Sequence, residues 1–251
     1  MSNDPYISVV ITAYNRKDFI LEAIKCALKQ TLDRQYYEII VIKNYKDEII
    51  DDFMKRNNII SFIADGVEGE YPYIASREAH GEIISFLDDD DLMSSDKLYT
   101  IKEVFIDQEL GYYHNDFQLY YDSAFVNNGI VNPSSRKSFR VTEKEKTRFI
   151  YFIERKMIYI NNSCISIRKR ILDKYATYLK DQIANIDRFL FLAALLSDSD
   201  LLFDSRKLNS YRIHDAQTGA LVSESFDELT LRKLTFIDKS IAGSLNLLKM
   251  A

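Results

Sequence analysis

The stretch Ile83-Ile84-Ser85-Phe86-Leu87-Asp88-Asp89-Asp90-Asp91 decides how this chain is read. Its first five residues form a short, largely apolar run, the texture of a strand buried on both faces of a parallel sheet. Four consecutive carboxylates then stand at its C-terminal end. Ligands of open α/β sheets bind beyond the C-terminal ends of the strands. Four adjacent negative charges repel one another unless something cationic sits among them. A hard divalent ion such as Mg2+ or Mn2+ takes oxygen ligands and bridges to phosphates, so it meets that demand. A solvated acidic turn, with Asp91 capping a helix, is the plainer alternative. On an extended segment, an Asp-x-Asp spacing turns two carboxylates to the same side.

Working outward, runs of the same texture occur at 7–11, 38–42 and 59–63. Helical patterns separate them. In 17–31, Phe19, Ile20, Ala23, Ile24, Ala27 and Leu28 recur at spacings of three and four, which makes one apolar stripe. Segments 47–57 and 73–80 supply a second and a shorter third helix. Strand and helix in alternation predict βαβ units and an α/β fold. The sheet is doubly wound and mainly parallel, with helices on both faces. Three polar clusters then meet at one sheet edge: Thr12-Ala13-Tyr14-Asn15-Arg16, Lys43-Asn44-Tyr45-Lys46-Asp47, and Asp88–Asp91. Beyond 115 the pattern is less regular. Strands are expected at 110–117, 157–167 and 207–213, helices at 142–155, 186–196 and 225–248, and a loop at 127–140. A soft boundary near 115 divides residues 1–115 from 116–251 within one continuous domain.

The chain has 251 residues and a formal charge of −5, which argues against a broad nucleic-acid surface, since that needs clustered Lys and Arg. Its two cysteines, Cys26 and Cys164, have no metal-site spacing and read as free thiols, which favours a reducing, cytoplasmic setting. No signal peptide is legible at the start, and no run reaches the roughly 18–20 apolar residues of a membrane span. Segment 240–251 has the look of a helix end, so a piece of a longer protein attached to the cytoplasmic face of a membrane is admitted.

Several side chains are candidates for chemistry. Tyr14 offers a ring face to a nucleobase and Thr12 a hydroxyl to its edge; a turn with a helix cap at Asn15 or Asp18 is the alternative. Asp187, in Asn185-Ile186-Asp187-Arg188, stands at the start of an apolar helix. There it suits the helix dipole, and it also suits a general base for an acceptor hydroxyl. His214 closes Ser210-Tyr211-Arg212-Ile213-His214. It is a candidate metal ligand or phosphate contact, with Arg212 a candidate for diphosphate; a surface loop histidine is the alternative.

In this order the pieces resemble family 2 glycosyltransferases, inverting enzymes of the GT-A fold. The likeness rests on 7–16, on the second strand at 38–42, on Gly81-Glu82 leading into Ile83–Asp91, and on Asp96-Lys97-Leu98. It is looser at Asp187 and at 211–214. The resemblance implies a nucleotide-sugar donor bound mainly by residues 1–115, and an acceptor with its base in 116–251. Thr12 and Tyr14 would hold the nucleobase, and Asp88 and Asp89 would lie by ribose and diphosphate. Asp90 would bind Mn2+ or Mg2+, with His214 close to the metal, and Asp187 would be the base. In the family, strand two commonly ends in a pair of Asp; here Lys43 and Asn44 stand there. Asn44 still carries a donor and an acceptor for a base. The resemblance favours a UDP-sugar, the Lys43-Asn44 pair weakens that preference and leaves a GDP-sugar open, and the acceptor it implies is a saccharide or a lipid-linked saccharide. The family's Glu before the catalytic Asp is Ile186 here. Three rival functions stand beside this one. A nucleotidyltransferase would want glycine in the loop 12–17, which has none. A phosphohydrolase would want its Asp-x-Asp after the first strand. A non-catalytic module of the same fold is motivated by Lys43 and Asn44.

Overall fold

The computed structural model describes residues 4–123, 126–131, 137–156 and 158–214. Strands β1 (Ile7–Ala13), β2 (Tyr37–Lys43), β3 (Ile60–Ile63) and β4 (Ile83–Asp88) lie parallel in the order β3-β2-β1-β4. β1, β2 and β4 are apolar because both faces are covered, and their side chains alternate between two cores; β3, at the sheet edge, tucks Ile60 and Phe62 against one core and leaves Ser61 and Ile63 exposed. On one face Val9, Ile11, Ile39, Val41, Ile83 and Leu87 pack with helices α1 (Ile20–Leu28) and α2 (Glu48–Arg56). On the other, Val10, Ile40, Ile42, Ile84 and Phe86 pack with α3 (Glu70–Glu78). Each fully buried Val, Leu or Ile contributes about 1.5–3 kcal/mol relative to exposure. Asp47 starts α2 by accepting the backbone N–H groups of Ile49 and Ile50, an N-cap. Gly81 crosses the backbone of β1 so closely that a Cβ there would sit 2.5 Å from the Ser8 nitrogen. Close approach, not flexibility, is why glycine precedes β4.

Beyond α4 (Lys97–Val104) the sheet continues through β9 (Ile165–Arg168), antiparallel to both β4 and β6 (Leu110–Ser123). Next comes β10 (Asp200–Ile213), parallel to β6, and then β5 (Leu92–Met93), antiparallel to β10. β7 (Val126–Val131) pairs with β6 and β8 (Phe139–Val141) with β10, both antiparallel. Helices α5 (Lys146–Lys156), α6 (Lys169–Leu179) and α7 (Ile186–Leu195) join the second core. The architecture is the expected doubly wound α/β fold, with strand direction mixed in its second half. β6 runs through residue 115, so the two halves share one sheet.

Three expectations are corrected. Segment 127–140, expected as a loop, contains β7 and β8; backbone pairing to neighbouring strands makes them, and Asn-Asn-Gly gives no alternating pattern. Segment 157–167, expected as one strand, contributes only β9, from Ile165 onward. Ile158 and Tyr159 are apolar because they pack in the core, Tyr159 stacking on Phe191 at 4.9 Å. Asn161, at φ 85°, turns the chain out of any strand. The strands expected at 110–117 and 207–213 each run to 14 residues. Helices α4 and α6 were not anticipated. The helix expected at 225–248 lies outside the described residues.

Candidate functional site

The strand order reverses between β1 and β4, and a cleft of about 440 Å³ opens at the C-terminal ends of these strands. Thr12, near the end of β1, and Tyr14 and Arg16, from the loop after it, form part of one wall with Asp88, Asp89 and Asp90; Asp187 and the segment 160–162 also line the cleft. The acidic stretch is not extended. The Asp91 N–H donates to the Asp88 carbonyl at 3.2 Å, closing a β-turn, so the turn and not strand alternation distributes the carboxylates. Asp88, Asp89 and Asp90 line the cleft. Asp91 turns inward and accepts the Arg212 N–H at 3.0 Å and the Asn161 Nδ2 at 3.2 Å.

Crowding of like charges and loss of water set the protonation of this turn. Burial, followed by the charges of Asp91, Asp90, Asp89 and Asp187, holds the Asp88 carboxyl well above the usual range. Burial pushes Asp89 up to about 6 against the pull of Arg16. Burial also pushes Asp91 up to about 7, together with the charge of Asp90. Asp90 goes the other way: burial acts on it most strongly, yet the His214 hydrogen bond and the Arg16 charge hold it below the ordinary value.

Arg16 was not singled out in the sequence. Its Nη2 lies 2.5 Å from Asp89 Oδ1 and 2.6 Å from Asp90 Oδ2, and its Nε donates to Asp89 Oδ2 at 3.2 Å. The signal available was its place two residues after Tyr14 in the same post-strand loop. His214 is buried, with Nε2 3.1 Å from Asp90 Oδ2 and 3.4 Å from Arg16 Nη1. One ring nitrogen cannot donate to a carboxylate and accept from a guanidinium at once, so the two contacts demand different proton placements.

Arg212 is buried beside the turn and is not on the cleft wall. Its Nε donates to the Asp90 carbonyl at 2.7 Å, its Nη2 pairs with Glu22 at 2.6 Å, and its guanidinium lies over the Phe19 and Tyr120 rings. Asn44 is likewise off the wall. Its Nδ2 donates to Asn15 Oδ1 at 2.7 Å, and its Oδ1 accepts the Asn15 N–H at 2.8 Å, while Asn15 holds a left-handed φ of 55°. Tyr14 stands at the rim, 58% exposed, edge-on to Tyr71 at 6.4 Å. Lys43 is buried and pairs with Asp51 at 2.8 Å.

Asp187 sits in the first turn of α7, after Asn185 at φ 61°. Its Oδ1 accepts the Arg188 N–H at 2.7 Å and its Oδ2 the Asn161 N–H at 3.4 Å. Burial raises its pKa. The turn Asn161-Asn162-Ser163 ties this carboxylate to the acidic turn, because Ser163 Oγ accepts the Asp88 N–H at 3.0 Å. Lys97 fastens it from below, donating to the Ser163 carbonyl and, at 2.8 Å, to Asn209 Oδ1. The Asn161 connection was invisible while 157–167 read as a strand.

Among the described residues no group of three or more His, Cys, Asp or Glu side chains converges on one metal position. The nearest approach is Asp90 with His214. Hard carboxylate oxygens beside an imidazole nitrogen still suit a small divalent cation that completes its shell with phosphate oxygens and water. Among the described residues no helix is long and apolar enough to cross a membrane.

The family model for glycosyl transferase family 2 matches residues 8–176. The uncharacterized glycosyltransferase EpsJ of Bacillus subtilis is 26% identical over 199 residues, covering 74% of this chain and 56% of EpsJ. The chain spans less still of the other curated relatives it matches. Among solved structures, Staphylococcus aureus TarS 1-349 with UDP-GlcNAc matches at TM-score 0.63 and 19% identity, over 89% of this chain and 64% of that one. The Pyrobaculum calidifontis mannosyltransferase PcManGT, with GDP-Man and Mn2+, matches at TM-score 0.61 and 13% identity, over 96% of this chain and 64% of that one. The fold is GT-A.

Proposed function

The chain belongs to glycosyl transferase family 2, and from that premise we propose that it transfers a sugar, with inversion, from a nucleoside-diphosphate sugar to an acceptor hydroxyl. One observation carries the reading: an acidic turn and a half-buried carboxylate of raised pKa, Asp187, line the same cleft at the strand-order reversal. In the reaction the acceptor oxygen bonds to the anomeric carbon as the bond from that carbon to the diphosphate oxygen breaks. The acceptor proton passes to Asp187, and the electron pair leaves with the diphosphate. A base with a raised pKa is matched to removing a hydroxyl proton near neutrality.

Asp90 and His214 would hold Mn2+ or Mg2+, which when bound supplies positive charge to the departing diphosphate. Thr12 and Tyr14 take the nucleobase, and Asp88 and Asp89 lie by ribose and diphosphate. Arg212 contributes by holding the Asp90–Asp91 backbone. A uridine donor is favoured by the likeness to TarS bound to UDP-GlcNAc, and a guanosine donor by the likeness to PcManGT bound to GDP-Man. The acceptor is a saccharide or lipid-linked saccharide, reached at the cytoplasmic face of a membrane. Residues 1–115 serve the donor, and 116–251 the acceptor and base.

The test is a thermal-shift screen of UDP, GDP, CDP, dTDP and ADP with and without Mn2+, on wild type and Asp90→Ala. A ligand at about 100 times its Kd stabilises the folded state by about 2.7 kcal/mol. One diphosphate raising the melting temperature only with Mn2+, and only in wild type, supports the reading. The pairing of Asn44 with Asn15 favours one rival, a non-catalytic module; silence across the screen would bring it forward.

A further inference from the structure

We propose that Arg16 is a displaceable counter-ion of the acidic turn: its guanidinium competes with a divalent cation for Asp89 and Asp90, and yields only when a nucleoside diphosphate arrives to receive it. The proposal rests on the metal-dependent nucleotide-sugar reading above. Asp90 Oδ2 is engaged twice, by Arg16 Nη2 at 2.6 Å and by His214 Nε2 at 3.1 Å. Asp89 is engaged at both oxygens by the same guanidinium. Asp89, and Asp90 at the oxygen that meets His214, are thus already neutralised by a fork whose geometry suits them.

Two other cations flank the turn, but each is committed elsewhere. Lys97 is buried on the Ser163 carbonyl and Asn209, and Arg212 on the Asp90 carbonyl and Glu22. Arg16 differs in that it lines the cleft and keeps 18% of its side chain exposed. Its way out is the space a diphosphate would enter. The backbone carrying it is fixed, because Asn15 is clasped by both polar atoms of the Asn44 amide. Release is therefore a side-chain rotation and needs no loop movement. A divalent ion placed between Asp90 and His214 would meet the guanidinium at contact distance, and like charges that close repel strongly outside bulk water. A diphosphate resolves this by offering Arg16 a second bidentate anion. Metal and nucleotide then favour each other beyond any direct bridge between them, and the coupling is reciprocal.

Mn2+ binding, read by the electron paramagnetic resonance signal of the free ion, tests this on wild type, Arg16→Gln and Arg16→Lys, each alone and with UDP or GDP. Without nucleotide, Arg16→Gln is expected to bind Mn2+ about tenfold tighter than wild type, the order of a pair of charges at a partly exposed site. Its gain on adding the nucleotide should be correspondingly smaller. Arg16→Lys, which keeps the charge but not the fork, should fall between them, and melting curves in EDTA establish that each variant is folded. Equal or weaker Mn2+ binding by Arg16→Gln, with an undiminished nucleotide effect, overturns the proposal and leaves the metal reading standing. Failure of wild type and both variants to take up Mn2+ with either nucleotide removes the metal reading, and this proposal with it.

Discussion

Replacing Arg212 with Ala tests whether the acidic turn is held in place from below. The side chain is 1% exposed, and its Nε serves the carbonyl of Asp90 at 2.7 Å. Truncation leaves that carbonyl short of its partner, at a cost of about 1–3 kcal/mol. Loss of a guanidinium packed over Phe19 at 4.5 Å and Tyr120 at 5.1 Å removes about 1–2 kcal/mol more. The Glu22 pair adds under about 1 kcal/mol, because that carboxylate is 55% exposed. The sum is about 2–6 kcal/mol, centred on the range seen when one partner of a buried charged network is removed. For a domain of this size that lowers the melting temperature by about 10 °C. Urea unfolding followed by circular dichroism, with thermal melts, would be run on wild type, Arg212→Ala, Arg212→Lys and Glu22→Ala. Lys cannot span the Asp90 carbonyl and Glu22 together, so the expected order of loss is Arg212→Ala, then Arg212→Lys, then Glu22→Ala. A loss below about 1 kcal/mol for Arg212→Ala, the ordinary effect of a surface substitution, would refute the reasoning. So would Glu22→Ala costing as much.

Asp187→Asn should lower turnover by about 10²–10⁴, with nucleotide-sugar affinity unchanged; an equal fall in affinity, measured by titration calorimetry, would make Asp187 a ligand or a cap. The protonation of the turn has a stability consequence. Asp89 and Asp91 carry folded pKa values of about 6 and about 7, above the unfolded carboxylate value of about 3.9. Their contribution is complete below the unfolded value and is lost as pH climbs through the folded ones. Metal-free protein should therefore lose stability between about pH 4 and 7 in urea titrations, and Asp91→Asn should flatten the slope; an unchanged slope would discount the assignment. Gly81→Ala drives a Cβ to 2.5 Å from the Ser8 nitrogen; it should destabilise by at least about 2 kcal/mol, since backbone on backbone has little room to give. Wild-type stability in that variant would mean the two strands are less tightly apposed than described.

Residues 7–88 were legible because central strands covered on both faces show as unbroken apolar runs, and α1 and α2 between them show one stripe each; α4, just beyond, was not. The polar clusters after β1 and β4 could be placed at one edge by topology alone. Legibility failed where tertiary packing overrode local pattern. Ile158 and Tyr159 are core residues on a turn, not strand residues. β10 is interrupted by register shifts between Phe203 and Lys207 and again before Asn209, which hid its first half. The stripe of α6, Ile171, Leu172, Tyr175, Ala176 and Leu179, carries the ordinary helical spacing. In the site, Asp88, Asp89, Asp90 and Asp187 line the cleft. Arg16 and Asn161 did not announce themselves, since their importance comes from partners distant in sequence, 73 residues away for Arg16 and 26 and 70 away for Asn161. Arg212 and Asn44 carried the right chemistry but spend it on protein groups.

The short strand β9 has a consequence for how the chain assembles during synthesis. β1, β2, β3 and β4 can pair in the order in which they emerge, each next to a neighbour already made. The outer edge of β4, however, is closed by antiparallel pairing of Ile83 with Arg168 and of Ile84 with Ile167. Until that distant segment leaves the ribosome, β4 presents a flat, apolar row of unpaired backbone groups, the kind of edge that recruits other strands. The carboxylates that serve chemistry in the finished fold stand at the end of that waiting edge, where charge discourages another nascent chain from docking.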